Sequence, residues 1–174
     1  LDGMYAYVAY DKKKKDVYFS RDPQGEKSLY KFEDSEYIIL SSEIRSILLF
    51  TGQKQLDLDI LKSYFFSRHF IQFNKTIFKN INNLEPGDLF KFNMKNKKVK
   101  KIKKFSIREY ISKKQYRLNE QKTESQLVNE LDALLKKSLK EMLPEKRNFC
   151  SIISGGEAAS VKSMILSKIS RPKK

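Results

Sequence analysis

The sequence predicts an α+β fold whose sheet portion is mostly antiparallel and which gives way, late in the chain, to the opening of an α/β unit. Three observations carry this. Short β-rich runs separated by tight turn signals fill the first part. Helical patterns interrupt those runs instead of alternating with them. The last part holds a long helical pattern, then an apolar run, a Gly-Gly turn and a further helical pattern.

Residues 4–10 alternate and are rich in aromatics and Val, which suits a strand. Residues 11–15 form a polar hairpin turn, and residues 16–21 return with Val17 and Phe19 on one face. Asp22-Pro23-Gln24-Gly25 is a strong turn signal, because Pro presets φ and Gly tolerates positive φ. Residues 28–32 and 37–41 read as two further strands joined by an acidic turn, so the first 41 residues are expected to form a four-strand antiparallel meander.

Ser41-Ser42-Glu43 then opens a helix, with Ser as the expected cap and Glu43 at the positive end of the dipole. Ile44, Ile47 and Leu48 form its apolar stripe. Residues 57–66 read as a second helix, with Leu58, Leu61 and Phe65 at helical spacing. Glu85-Pro86-Gly87-Asp88 is a turn leading into a strand over 89–94, which can pair with 99–105. Residues 107–120 read as a polar connection. Residues 123–143 carry a helical stripe of Leu127, Leu131, Leu134 or Leu135, and Leu139, with Thr123 and Gln126 placed as a capping box. Residues 149–153 read as a buried strand, followed by Ser154-Gly155-Gly156 and a helix over 158–168. Strand, Gly-rich turn and helix is the layout of a phosphate-binding loop, since the helix aims free N–H groups at an anion.

The whole composition narrows the function classes. The chain has 174 residues, 40% hydrophobic, which allows one full domain or parts of two. Its apolar runs are too short to span a bilayer, so a soluble protein with no membrane partner is expected, and its single Cys fits a reducing cytoplasm. The start, Leu1-Asp2-Gly3, shows no leader and reads as a chain already in progress. One Cys and one His give no internal disulfide and no metal site of their own. The net charge of +15 is read chiefly as solvated surface, because the lysine runs fall in turns and at the chain end. A polyanion-binding face is the lesser reading.

Several segments, in order, resemble the glutamine-hydrolysing asparagine synthetases. Leu1-Asp2-Gly3-Met4-Tyr5-Ala6-Tyr7 is similar to the family's L-D-G-M-F-A-F. Residues 21–30 resemble R-D-x-x-G-x-K-P-L-Y, and Ser41-Ser42-Glu43-Ile44-Arg45 resembles S-S-E-I-K. Lys75-Thr76-Ile77-Phe78 and Leu84-Glu85-Pro86-Gly87 match K-T-I-F and L-x-P-G. Residues 154–160 resemble the S-G-G-x-D-S-S pyrophosphatase loop.

The resemblance implies a glutaminase-type, Ntn-hydrolase-like sheet over residues 1–105, a linker over 106–122, and the start of a PP-loop synthetase domain over 123–174. It implies ATP-dependent amidation of aspartate with ammonia drawn from glutamine. ATP and magnesium are then the cofactors; glutamine, aspartate and ATP are the substrates; a homodimer is the candidate assembly. Asp2 matches the carboxylate that binds the α-amino group of glutamine. Ser154, Gly155, Gly156 and Ser160 match the phosphate loop, and Ile153 matches a position whose backbone contacts nucleotide. Arg21 and Asp22 are read as a structural charge pair holding the turn.

Two departures qualify the activity. The family's nucleophilic Cys belongs upstream of Leu1, and Cys150, expected at the start of a buried strand, is inert packing. No catalytic residue is therefore assigned. The loop's Asp is Ala158 and its next Ser is Ala159, so a hard oxygen ligand for magnesium is lost. Glu157 sits one position early, about 100° away around the helix. The chain by itself is expected to be inactive. Three alternatives stand beside this: a catalytically dead interaction protein, an amidotransferase for another carboxylate, and a basic nucleic-acid-binding domain. His69 is read as structural, and Tyr64, Phe65, Phe66, Phe70 and Phe73 as core or domain interface.

Overall fold

The computed structural model describes residues 1, 3–69, 72, 74–144 and 149–169. The chain separates into two compact units, residues 1–110 and 111–174.

In the first unit the strands are β1 (Ala6–Asp11), β2 (Asp16–Arg21), β3 (Tyr30–Glu33), β4 (Ile38–Ser41), β5 (Ile81–Asn83), β6 (Asp88–Asn93) and β7 (Lys98–Lys104). They form two antiparallel sheets, ordered β1-β2-β6-β7 and β4-β3-β5. The α+β class and the β6–β7 hairpin agree with the sequence. The four-strand meander does not form, because β2 and β3 lie in different sheets. The free edge of β2 is taken by β6, with Phe19 opposite Phe90.

The cause lies at the end of β2. Asp22 is 1% exposed, and its carboxylate accepts the backbone N–H groups of Gln24, Glu26 and Lys27 at 3.2, 2.9 and 3.0 Å. Arg21, also buried, donates Nη1 to the Leu84 carbonyl at 2.7 Å and Nη2 to the Gly25 carbonyl. A tight turn wrapped around a buried carboxylate directs the chain out of the first sheet. The two side chains act separately on backbone groups rather than as the expected charge pair; no Arg21–Asp22 ion pair is present among the described residues. Gly25, at φ +71°, allows the packing: a Cβ there would lie 2.7 Å from Arg21 Nη2. Gly87, at φ +74°, is required for the same reason, with Phe105 Cβ 2.9 Å from where its own would be.

Two apolar clusters form the core. Phe19, Leu29 and Leu84 make one, with Phe90 stacked on Phe19 at 5.3 Å between ring centroids. Phe32, Ile47 and Ile81 make the other, tying the second sheet to helix α1 (Ile44–Thr51) through the predicted stripe of Ile44, Ile47 and Leu48. The start of α1 differs from expectation. Glu43 is the N-cap, with no side-chain cap, and the Ser41 hydroxyl accepts the Glu43 N–H at 3.1 Å. Helix α2 (Leu58–Ser67) is capped by Asp57, whose side chain accepts the Ile60 N–H. It buries none of its residues, and Leu58 and Phe65 are exposed.

A short 3-10 turn (Ile107–Tyr110) ends the first unit. The second opens with α3 (Lys113–Glu120), where the sequence predicts only a connection. Ser112 caps it by accepting the Gln115 N–H at 3.3 Å. Its residues are good helix formers without an apolar stripe, so periodicity does not report it. Helix α4 (Glu124–Met142) carries the predicted capping box of Thr123 and Gln126. Its leucine stripe is largely uncovered, with Leu131 58% and Leu134 65% exposed. Helix α5 (Glu157–Ile169) buries Ile165 and Leu166. The strand expected over 149–153 is absent: those residues are irregular, and Ile152 and Ile153 are 83% and 60% exposed. A strand of that kind is held only by neighbours in a sheet, and the described residues of this unit contain no strand to pair with it. Among the described residues no helix is long and apolar enough to cross a membrane.

Burial opposes ionisation of Asp22 and is the largest single influence on it. The N–H groups of Lys27, Glu26, Gln24 and Gly25 together outweigh it and hold the carboxyl below the ordinary aspartate range. The stabilisation is thus complete above that ordinary range and is lost as pH falls through the lowered folded value. Asp22→Asn should destabilise the first unit by about 1–3 kcal/mol at neutral pH in urea unfolding. The gap between variant and parent should narrow in strong acid. Cys150 is exposed, so its thiol should react fully with a thiol reagent in native buffer, without the denaturant that a buried strand would require.

Candidate functional site

The phosphate-loop candidate is built from the irregular segment before α5. Gly155 has φ +84°, in the left-handed region, and a Cβ there would meet nothing within 4 Å. Glycine is needed at that position for its backbone angle alone. Gly156 lies 3.8 Å from the Ser154 hydroxyl, measured from where its own Cβ would be. The Ser160 N–H donates to the Gly156 carbonyl at 3.0 Å, the first helical bond. The N–H groups of Glu157, Ala158 and Ala159 thus fall in the first turn, where the helix leaves them for caps, solvent or a ligand.

The structure brings Ser154, Gly155 and Gly156 together at the start of α5. Ile153 lies exposed at the base of the loop. Ser160 is on the first turn, but its hydroxyl also donates to the Gly156 carbonyl at 3.0 Å, so it is engaged by its own helix. A contact that sequence reasoning missed ties the loop down: the hydroxyls of Ser151 and Ser163 are 3.1 Å apart. Two serines twelve residues apart carry no periodic signal that would reveal this.

The donor set suits an anion: a backbone turn at Gly155 that takes a positive φ, a hydroxyl and a helix N-terminus. It does not suit a metal. Ala158 and Ala159 present methyl groups, and among the described residues no cluster of His, Cys, Asp and Glu could hold a metal ion. Glu157 is the one carboxylate in the first turn of α5. There it complements the helix dipole itself and repels an incoming phosphate.

At the other predicted site, Asp2 lies outside the described residues. The segment that follows it is anchored from the Asp22 turn, whose N–H donates to the Tyr5 carbonyl at 2.8 Å. The buried turn thus also fixes the backbone at Tyr5. The aromatic stretch does not form core in the described residues. Tyr64, Phe65 and Phe66 are 38%, 74% and 95% exposed, and Phe70 and Phe73 lie outside the described residues. His69 is exposed, and its backbone bonds to the Ser67 hydroxyl.

Comparison with known proteins identifies the first unit. The glutamine amidotransferase domain family matches residues 1–106. The chain is 29% identical over 113 residues to the Methanocaldococcus jannaschii protein named "Putative asparagine synthetase [glutamine-hydrolyzing] 2", covering 63% of this chain and 22% of that one. It is 29% identical over 90 residues to the Bacillus subtilis "Asparagine synthetase [glutamine-hydrolyzing] 1", covering 52% of this chain and 14% of that one. The chain therefore spans less than a quarter of the length of either relative. With the antiparallel sheets and the Arg21-Asp22 turn in place, the match over more than half its length shows that the chain belongs to the glutamine amidotransferase domain family.

Proposed function

We propose that this chain serves an asparagine-synthetase-like protein, in which ammonia from glutamine amidates an ATP-activated aspartate. One juxtaposition carries the reading. A glutamine amidotransferase domain is followed, in the same chain, by a Ser154-Gly155-Gly156 turn feeding a helix N-terminus. The first part belongs to glutamine handling. The second suits the phosphates of a nucleotide. Residues 1–105, 106–122 and 123–174 are then the amidotransferase portion, the connection and the start of the synthetase portion.

Each residue has a role in this scheme. Asp2 pairs with the α-amino group of glutamine, as an ammonium needs a carboxylate partner. The Ser154 hydroxyl and the first N–H groups of α5 hold phosphate oxygens. Gly155 supplies the backbone angle that lets the chain approach them. The loop has no oxygen ligand at Ala158 with which to place magnesium, so the pyrophosphate-releasing step is not supported by the residues present. The chain by itself is accordingly inactive, and its retained feature is anion affinity.

Ala158 and Ala159 favour one second reading, an interaction protein that keeps the fold after losing the chemistry. Supplied with ATP, magnesium, aspartate and ammonia, the chain should release no pyrophosphate above background. Robust release would overturn the inactive reading. The double variant Ala158→Asp, Ala159→Ser should bind magnesium pyrophosphate about tenfold more tightly by calorimetry, roughly 1.4 kcal/mol. An unchanged affinity would remove the phosphate-loop reading and leave the interaction protein.

A further inference from the structure

Lysines are spread so widely along the sequence that their charge reads as solvated surface. The sheet order gathers some of them. β1–β2 and β6–β7 are hairpins, and the pairing of β2 with β6 sets their turns side by side. The Met94 N–H donates to the Lys15 carbonyl at 3.1 Å, linking one turn directly to the other. The first turn carries Lys12, Lys13, Lys14 and Lys15; the second carries Lys95 and Lys97 and runs into Lys98. All are exposed, and none forms an ion pair among the described residues.

The acidic groups nearby are already engaged. Asp11 accepts the N–H groups of Lys13 and Lys14 at 2.9 and 3.1 Å. Asp16 is buried, accepts from Asn93 Nδ2 at 2.6 Å and pairs with Lys91. Asp11 keeps its charge and Asp16 is paired with Lys91, so the seven turn lysines stand against one carboxylate and the tip keeps a large positive excess. Burying so many ammonium groups is prohibitive, so this end of the sheet faces solvent or an anionic partner.

The two turns are also built alike. Asn93 repeats the role of Asp11, accepting the N–H groups of Lys95 and Asn96 at 3.1 Å each. Lys15 and Lys97 both sit at φ +54°, where Gly or Asn is easier and another L-residue costs about 1 kcal/mol. At both positions the chain carries a charge in place of the easier residue.

We infer that this end of the sheet is an electropositive tip that binds the phosphate backbone of a nucleic acid. The composition of the tip supports a nucleic acid over a lipid surface. Met94 is the one large apolar side chain in the two turns, whereas segments that lie on lipid bring an apolar face. Tyr10, half exposed, stands just before the first turn, where a base could stack on it. Lysine contacts to phosphate carry no sequence information, so binding is salt-dependent and tolerant of sequence.

The test is fluorescence anisotropy of the full chain with mixed-sequence RNA and duplex DNA across a salt series. Replacing Lys12, Lys13, Lys14 and Lys95 by Gln leaves Lys15 and Lys97 at their positive-φ positions. That variant should bind at least about tenfold more weakly at low salt. The slope of log affinity against log salt should fall by about 3. A control with Lys62, Lys79, Lys136 and Lys140 replaced by Gln should keep the parent slope. In the unaltered chain, bound oligonucleotide should also protect Lys12–Lys15 from acetylation, a readout independent of the variants. Equal losses in both variants, unprotected turn lysines, or binding to phosphatidylserine vesicles but to neither oligonucleotide would each overturn the proposal.

Discussion

The fold turns on a carboxylate buried at the end of one strand. Asp22 is removed from water, which costs several kcal/mol for an unpaired charge. It is tolerated because backbone N–H groups from the turn converge on its two oxygens. The adjacent Arg21 does the converse, donating to the carbonyls of Leu84 and Gly25. Between them the two side chains satisfy backbone groups from the turn and from the segment that leads into β6. The partition into two sheets, the path of the N-terminal segment through Tyr5, and the need for Gly25 all follow from this arrangement.

The second unit obeys a different physics. Helices α3 and α4 are specified locally, by Ser112 and by the Thr123–Gln126 box, more than by burial. Local caps suffice to start a helix, but they do not choose what covers its apolar face. The exposed leucines of α4 and the unpaired segment before Ser154 are the two consequences. A helix N-terminus behind a glycine turn still attracts an anion in this setting, since that property comes from the backbone. Placing a metal takes a side-chain oxygen, and Ala158 has none.

Charge shows the same division. The sign and size of the net charge are plain in the composition. Where that charge is concentrated depends on strand order, because two lysine turns far apart in sequence meet only when β6 fills the edge of β2.

What was legible in the sequence is what neighbouring residues decide among themselves. The bounds of β2, the β6–β7 hairpin, the Asp22 turn, the stripe of α1 and the capping box of α4 all rest on contacts within a few residues. So did the glycine turn before α5, and so did the segments that resemble the asparagine synthetases. The sequence by itself therefore determined the family of the first unit and most of its elements. The tertiary structure alone decided which strands became neighbours, and so broke the expected meander. It also withheld the strand at 149–153 and left Cys150 exposed, since a strand without a partner gains no ladder hydrogen bonds. Helix α3 was hidden for a related reason: it has a cap and good helix formers but no buried stripe, and only a buried stripe writes a helix into hydrophobic periodicity.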